Sequence, residues 1–433
     1  MSSGLARRLY SLLLYLLSPL IWWRVWREWL PTHPRRERLG YVPAVGARRC
    51  IWLHAASVGE VVTATPLIRA LLDDYPDHAL IVTTMTATGA RQLRQTFGDR
   101  VRHHFLPLDF PGATRRFVAR INPRLTIIAE TELWPNLLAA CYRRGVPVAV
   151  ANARLSPGAF RLYRRLGALC RGMLAPLDWV GAKSPSDAQR FRALGARPEA
   201  VAMTGALKFD LNVDESVLAA SRRLRQRWGP RPVWIAGSTH PGEDEQVLAA
   251  HAWVRRQLPE ALLILVPRHP QRFEAVAELC EAAGERLVRL SGGARVGAET
   301  TLLLGDTMGD LIKLYGCADV AFVGGSLVTI GGHNLLEPAA LGVAVVSGPH
   351  LDNLREIADT LAEHEARCEV ADGEALGQTV AALLDDAPRR ERLGAAGRQV
   401  VAANRGALAA TRQRLAAYLT DTASNDSWTP INS

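Results

Sequence analysis

Three groups of residues in this sequence have types and spacings that can do chemistry. The first is Glu60. It follows a short apolar run, Ile51 to Ala56, of buried-strand length, and the small turn Ser57-Val58-Gly59. From there Val61, Val62, Ala64, Thr65, Ile68, Leu71 and Leu72 recur at helical spacing. Glu60 therefore stands at a helix start just past the carboxyl end of a strand, where open α/β sheets bind ligands. A helix N-terminus favours the ionised carboxylate, and a charged carboxylate at a cleft mouth can act as a general base. It can also cap its helix and do nothing more, and position alone favours the cap. The second group is Glu130-Thr-Glu-Leu-Trp-Pro-Asn136, which follows the apolar run Leu125–Ala129. Either both acids face a cleft, or they alternate faces with one capping and one solvated; spacing does not choose.

The third group is Gly331-Gly-His-Asn334-Leu-Leu-Glu337, a glycine turn running into a helix. Glycines allow close approach of backbone N–H groups, and a helix N-terminus attracts phosphate. Asn334 can donate from the first turn, and Glu337 can reach sugar hydroxyls. Arg268, at the end of another strand of the same half, can pair a phosphate. Together these make a nucleotide pocket. No GxxxxGK[ST] is present, and no GxGxxG follows a strand in the right setting. No Asp-x-Asp offers to hold a metal on a nucleotide diphosphate.

These residues need alternating strands and helices to position them. At 433 residues the chain exceeds one ordinary core, so two α/β domains are expected. In the first half, 79–84, 125–129, 146–151, 179–182 and 201–204 join 51–56 as strands. Residues 31–46 read as a linker, and the polar, Arg-rich 211–231 as the crossing between domains. A second series opens with a strand at 233–237. Ser238-Thr-His240-Pro-Gly-Glu243 is its turn and helix start, with proline and an acid in the first turn. Strands follow at 262–266, 301–304, 320–323 and 343–347. A single helix is expected over about 389–418, with a frayed tail beyond it. A helix carrying Arg161, Arg164, Arg165 and Arg171 can touch membrane or an anionic acceptor, or be a solvated face.

Six scattered cysteines without a CxxC pair argue against a zinc site or a disulfide framework and fit a reducing compartment. The net charge of +10 is concentrated at the start, where residues 1–49 hold nine arginines against Glu28 and Glu37. No nucleic-acid groove or motif is indicated. The uncharged stretch Leu9–Trp23 is shorter than the ~20 residues of a spanning helix. Trp22, Trp23, Trp26 and Trp29 alternate with arginines there. Residues 1–30 read as an anchor inserted from the cytoplasmic face and held by anionic lipid, ahead of a marginal single span, a cleaved signal peptide and an ordinary core helix.

With these residues assembled, the chain resembles the Kdo (3-deoxy-D-manno-oct-2-ulosonic acid) transferases, glycosyltransferases of the GT-B fold. The resemblance covers nearly the whole chain and rests on HAASVGE at 54–60, AETELWPN at 129–136, ALKFD at 206–210, PRHPQRF at 267–273, DTMGDL at 306–311 and GGHNLLEPAALG at 331–342. It implies two Rossmann-like domains facing a central cleft, an acceptor-binding domain over 31–210 and a CMP-Kdo-binding domain over 232–420 closed by the C-terminal helix. It also implies inverting transfer of Kdo from CMP-Kdo to a lipid A precursor, lipid IVA, on the cytoplasmic side of the inner membrane, with neither metal nor cofactor. By the same resemblance Glu60 is the proton acceptor, and Glu130 and Lys208 support the transition state. Pro267, Arg268, Met308, Gly309, Asp310, Asn334, Leu335, Leu336 and Glu337 stand where the family binds CMP. Many relatives have Met-Gly-Glu where this chain has Met-Gly-Asp310, which puts a side-chain contact there in doubt. The rival readings are another GT-B enzyme, such as a sugar-nucleotide epimerase or a hexosaminyl transferase, and a non-catalytic membrane scaffold.

Overall fold

The apolar runs of the first half become a seven-stranded, all-parallel sheet in the computed structural model, which describes residues 2–27, 35–46, 49–210, 214–352 and 354–420. Its strands are β1 (Cys50–His54), β2 (Ala79–Thr84), β3 (Arg102–Phe105), β4 (Leu125–Ala129), β5 (Val148–Ala153), β6 (Trp179–Ala182) and β7 (Val201–Met203). Spatially they run β3-β2-β1-β4-β5-β6-β7. Strand order reverses between β1 and β4, where Ile51 to His54 pair with Leu125 to Ile128. A second parallel sheet holds β8 (Val233–Thr239), β9 (Leu262–Pro267), β10 (Leu287–Arg289), β11 (Leu302–Leu304), β12 (Val320–Val323), β13 (Ala344–Ser347) and β14 (Arg367–Glu369). Its order is β10-β11-β9-β8-β12-β13-β14, with the reversal between β8 and β12.

Residues of the central strands are apolar on both sides because helices cover both faces. In the first sheet Trp52, Ile128 and Val150 pack on one face and Leu53, Ile127 and Ala149 on the other. The second sheet divides likewise, Trp234 and Phe322 on one face, Ile235 and Ala321 on the other. Each sheet forms its own compact unit, 1–210 with 405–433 and 211–404.

Several expectations change. Strands β3, β10 and β14 are additional, and all three are sheet edges. The expected linker at 31–46 is partly body: Arg35–Leu39 forms a 3-10 turn with Glu37 and Arg38 buried. Glu37 accepts from Phe105 N, and Arg38 donates to the carbonyls of Met85 and Leu106. The expected crossing at 211–231 contains the helix Glu215–Gln226, whose Ser221 hydroxyl donates to the Lys313 carbonyl within the second unit. The expected C-terminal helix is two, Ala387–Ala403 and Ala407–Leu419, divided at Gly406 with φ +103°. The second unit ends at Asn404 rather than 420, and Ala407, Leu415 and Leu419 pack into the first.

The N-terminal segment forms two helices, Ser3–Leu16 and Ser18–Arg27, bent by 59°. Among the described residues no single helix is long and apolar enough to cross a membrane. The first helix is also seated on the body. Ala6 is buried, the Ser11 hydroxyl donates to Asn136 Oδ1 at 3.1 Å, and the Tyr15 ring lies 5.1 Å from Phe110. Trp29 and residues 28–34, 211–213 and the tail 421–433 lie outside the described residues.

Candidate active site

In the first unit the carboxyl ends of β1 and β4, on either side of the strand-order reversal, collect acids. Ser57 is the N-cap of the helix Val58–Asp74. Glu60 closes that cap from inside the first turn: its carboxylate accepts from Ala56 N at 2.7 Å and from the Ser57 hydroxyl at 2.9 Å. The cap is therefore real, and it leaves the carboxylate with an unusual acidity. Burial pushes Glu60 up; the Ala56 and Ser57 hydrogen bonds oppose this, the charges of Glu132 and Glu130 add to it, and the result is about 7. The stabilisation of the ionised form expected from the helix end is outweighed by desolvation. Glu132 is raised in the same direction, first by burial and then by Glu130. Three carboxylates thus share one locality. Glu130 itself is held at φ +59°, a conformation that costs a non-glycine residue roughly 1–3 kcal/mol. Its N–H donates to the Ala151 carbonyl on β5.

Lys208 follows β7, four places from β1 in the sheet, yet its turn is brought back. Leu207–Phe209 packs on the helix Val58–Asp74, which carries Glu60 in its first turn. The Leu207 N–H donates to Asn152 Oδ1 at 3.1 Å, and Asn152 sits in left-handed conformation at φ +55°. Other motif residues are structural. Asp210 caps the returning helix Ala407–Leu419, accepting from Gly406 N and Leu408 N. Asn136 is buried against Asp109, which accepts from Asn136 N and Leu137 N and so caps the helix Pro135–Arg143.

The carboxyl ends of β8 and β12 in the second unit collect cations and glycines. Gly324 lies so close to β8 that a Cβ there would stand 2.6 Å from the Ser238 carbonyl oxygen. The two ends are joined by Glu243, fully buried, whose carboxylate accepts four backbone N–H groups: His240, Gly325, Ser326 and Leu327, at 2.6 to 3.0 Å. Arg268 projects into solvent from the end of β9, while its N–H donates to the Thr239 carbonyl. Arg272 pairs with the buried Asp244.

The expected nucleotide residues fall near this point, with changes. The helix after the glycine turn begins at Leu336 and is six residues long, too short for a strong dipole. The Gly332 N–H is already given to the Gly325 carbonyl, and the Leu336 N–H to Asn334 Oδ1. The Asn334 amide nitrogen donates to Glu337 at 3.1 Å, and Glu337 is raised by burial against the opposing influence of Asn334 and Arg268. Pro267, Arg268, Asn334, Leu335, Leu336 and Glu337 therefore gather around β9, β8 and β12. Met308, Gly309 and Asp310 follow β11, beyond β9 in the sheet. Met308 is exposed, and Asp310 is bonded by the Thr307 hydroxyl and by Lys313 at 2.6 Å. Sequence reading passed over His240, Glu243, His269 and His333. Single histidines 93 positions apart carry no pairing signal: His240 and Glu243 were visible as parts of a turn, and His269 and His333 as members of longer motif strings.

Residues 33–211 match the family model "3-Deoxy-D-manno-octulosonic-acid transferase (kdotransferase)", and residues 230–400 match "Glycosyl transferases group 1". A 3-deoxy-D-manno-octulosonic acid transferase of Haemophilus influenzae is 43% identical over 371 residues, spanning 85% of this chain and 87% of that protein. One from Bordetella pertussis is 37% identical over 96% of this chain and 100% of its own. The crystal structure of a UDP-GlcNAc 2-epimerase from Neisseria meningitidis bound to UDP-GlcNAc superposes with a TM-score of 0.52 at 12% identity, covering 85% of this chain and 100% of that one. That likeness is one of fold.

Proposed function

Since the chain belongs to the 3-deoxy-D-manno-octulosonic acid transferases, GT-B glycosyltransferases that move Kdo in lipopolysaccharide biosynthesis, we propose how its residues divide that work. The donor is CMP-Kdo and the acceptor is the lipid A precursor lipid IVA. Glu60 takes the proton from the acceptor hydroxyl as its oxygen attacks the anomeric carbon, and direct displacement inverts that carbon. The carrying observation is the place of the Glu60 carboxylate, held by Ala56 N and the Ser57 hydroxyl at the carboxyl end of β1 beside the acids that follow β4, where burial raises its pKa to about 7 and leaves it a base near neutral pH. Glu130 and Lys208, on loops tied to β5 and to the Glu60 helix, support the charge that develops. Arg268 and the 334–337 segment hold CMP in the second unit, with Glu337 on the ribose hydroxyls and the backbone of Met308 and Gly309 adding contacts. The short Asp310 side chain is occupied by Thr307 and Lys313. The test is the mass of the lipid formed from CMP-Kdo and lipid IVA. An increase other than whole Kdo units, or none, refutes the assignment.

We propose that the protein works at the cytoplasmic face of the inner membrane, with its first helices inserted but not spanning. In support, Leu12, Leu13, Leu16, Leu20, Trp23 and Trp26 are each more than half exposed, while the opposite side of the first helix is seated on the body. Such a helix lies in the interface, and basic residues add attraction to anionic lipid. Leu12→Glu with Leu16→Glu is expected to release the protein from anionic vesicles with its melting temperature unchanged. Undiminished sedimentation with vesicles moves the contact elsewhere, first to the Arg161–Arg171 face. Deleting residues 2–27 is a poorer test, because it strips Asn136 of its Ser11 partner.

A further inference from the structure

The second unit contains a histidine pair that the division of labour above leaves idle. His240 Nε2 and His333 Nε2 are 2.8 Å apart, with the rings nearly parallel at 7° and centroids 5.0 Å apart. One ring must donate its N–H to the other, so the two share a single proton on that line. The pair bridges the two loops at the strand-order reversal: His240 closes β8, and His333 belongs to the glycine turn that Gly332 bonds back to Gly325. Gly325 at φ +69° makes room, since a Cβ there would stand 3.1 Å from the His333 ring. His269 completes the cluster, its ring edge-on to His240 with centroids 5.4 Å apart. Among the described residues no three of His, Cys, Asp and Glu are placed to share a metal ion.

The charges facing this pair have one sign to spare. From the end of β9 come Arg268 and His269, and from the next turn Arg272. On the His240 side, Asp244 is engaged by Thr239 and Arg272, and Glu243 by four backbone N–H groups. On the glycine turn, Glu337 is bonded by Asn334. Burial first, then neighbouring groups, His269, Arg272 and Arg268 at His240 and His240, Arg268 and His269 at His333, lower the pKa of both imidazoles, His333 down to about 4. The pair is therefore neutral and lies beside the Arg268 guanidinium. An arriving anion inverts that balance.

We propose that His240 and His333 act as one shared acid on the phosphoryl group of the sugar nucleotide, taking up a proton as the anion binds and passing it to the departing phosphate. This rests on the reading of the second unit as the donor site. The acceptor oxygen bonds to the anomeric carbon, and the bond from that carbon to the phosphate oxygen breaks with its electron pair on oxygen. The acceptor proton goes to Glu60. The proton of the imidazolium goes to the phosphate of CMP, and the pair returns to its neutral state.

Calorimetry of CMP binding to the full-length protein, at pH 7.5 in buffers of different ionisation enthalpy, tests this. Wild type is expected to take up protons on binding. His240→Asn and His333→Asn are expected to lose that uptake and to bind CMP about tenfold more weakly. They should also lower kcat by about 10²-fold, the low end of what a positioned acid supplies, and leave the KM for the acceptor unchanged. The alkaline limb of the kcat profile disappears with them. CMP binding to wild type without proton uptake overturns the proposal whether or not the variants fold, and leaves the donor site standing. No binding of CMP at all overturns the donor-site reading and this inference with it.

Discussion

The two units solve one geometric problem with opposite chemistry. Each is a seven-stranded parallel sheet, and in each the strand order reverses next to its first strand, at β1–β4 and at β8–β12. That reversal opens a crevice at the carboxyl ends of the strands, and α/β proteins bind ligands there. The first unit fills it with Glu60, Glu130 and Glu132, where burial first and neighbouring carboxylates after it raise the proton affinity of Glu60 and Glu132. The second fills it with Arg268, His269 and the pair His240 and His333, and there burial first and neighbouring groups after it lower the proton affinity of the pair. A carboxylate cluster suits the removal of a proton from a hydroxyl; a cationic one suits a phosphate. The backbone topology supplies the place, and the sign of the residues set there decides which substrate each place can serve.

The contrast is broken most severely at Glu60. Glu60→Gln keeps the cap contacts but cannot accept a proton, so turnover at saturating substrates is expected to fall by ~10²–10⁴-fold with CMP binding unchanged. In the wild type, kcat/KM should fall below about pH 7 as Glu60 protonates. A loss within about threefold, or an acid limb that survives the substitution, assigns Glu60 to capping alone.

The counterpart in the second unit is Glu243→Ala. It strands four buried N–H groups, each costing about 1–3 kcal/mol when unpaired, so stability should drop by ~3 kcal/mol or more in urea titration. An unchanged midpoint means that the loop at 324–327 does not depend on this carboxylate. Smaller still is Arg268→Ala, expected to weaken CMP by ~1.5–3 kcal/mol, the range for a charged hydrogen bond, while leaving the first unit's pH limb in place. Equal CMP affinity in calorimetry, with folding intact, removes Arg268 from the site.

The smallest effect concerns stability against pH. Glu60 has a native pKa of about 7 against 4.5 for the free group, so the native state holds this proton more tightly than the unfolded one. Its contribution is full below pH 4.5 and is lost as pH rises toward 7. The melting temperature of Glu60→Gln relative to wild type should therefore rise across that window and level off above it. Asp109, raised to about 7 by burial despite its bonds to Asn136, Leu137 and Tyr10, behaves in the same sense and remains in both proteins. A difference that stays flat from pH 4.5 to 7 shows that the carboxyl is not held protonated.

Much of this organisation was legible as pattern. The central strands β2, β4, β6 and β12 lie where their apolar runs lie, because a strand buried on both faces must be apolar throughout. The edge strands β3, β10 and β14 escaped notice because an edge is half solvated and tolerates Arg102, His103, Arg289 and Arg367. Arg-rich composition at 211–231 reads as a crossing, yet the helix Glu215–Gln226 buries Ser221 against the helix Leu311–Tyr315, leaves Arg222 and Arg223 exposed and ties Arg225 to Asp319.

The site divides in the same way. Glu60, Glu130 and Arg268 follow apolar runs directly, so their places at strand ends are local facts, and the motif strings around them suffice to identify the family. What they meet is not local. The proton affinity of Glu60 depends first on its burial and then on Glu132 and Glu130, some seventy residues away, brought beside it by the pairing of β1 with β4. Lys208 reaches the Glu60 helix because its turn is fastened to Asn152. His240 and His333 become one proton-sharing pair when β8 and β12 lie side by side. Local sequence can specify which side chain ends a strand, because backbone propensity and burial act over a few residues. Distances of 3 Å between groups far apart in the chain, and the desolvation that sets their charges, arise when the sheet closes and strand order chooses the neighbours.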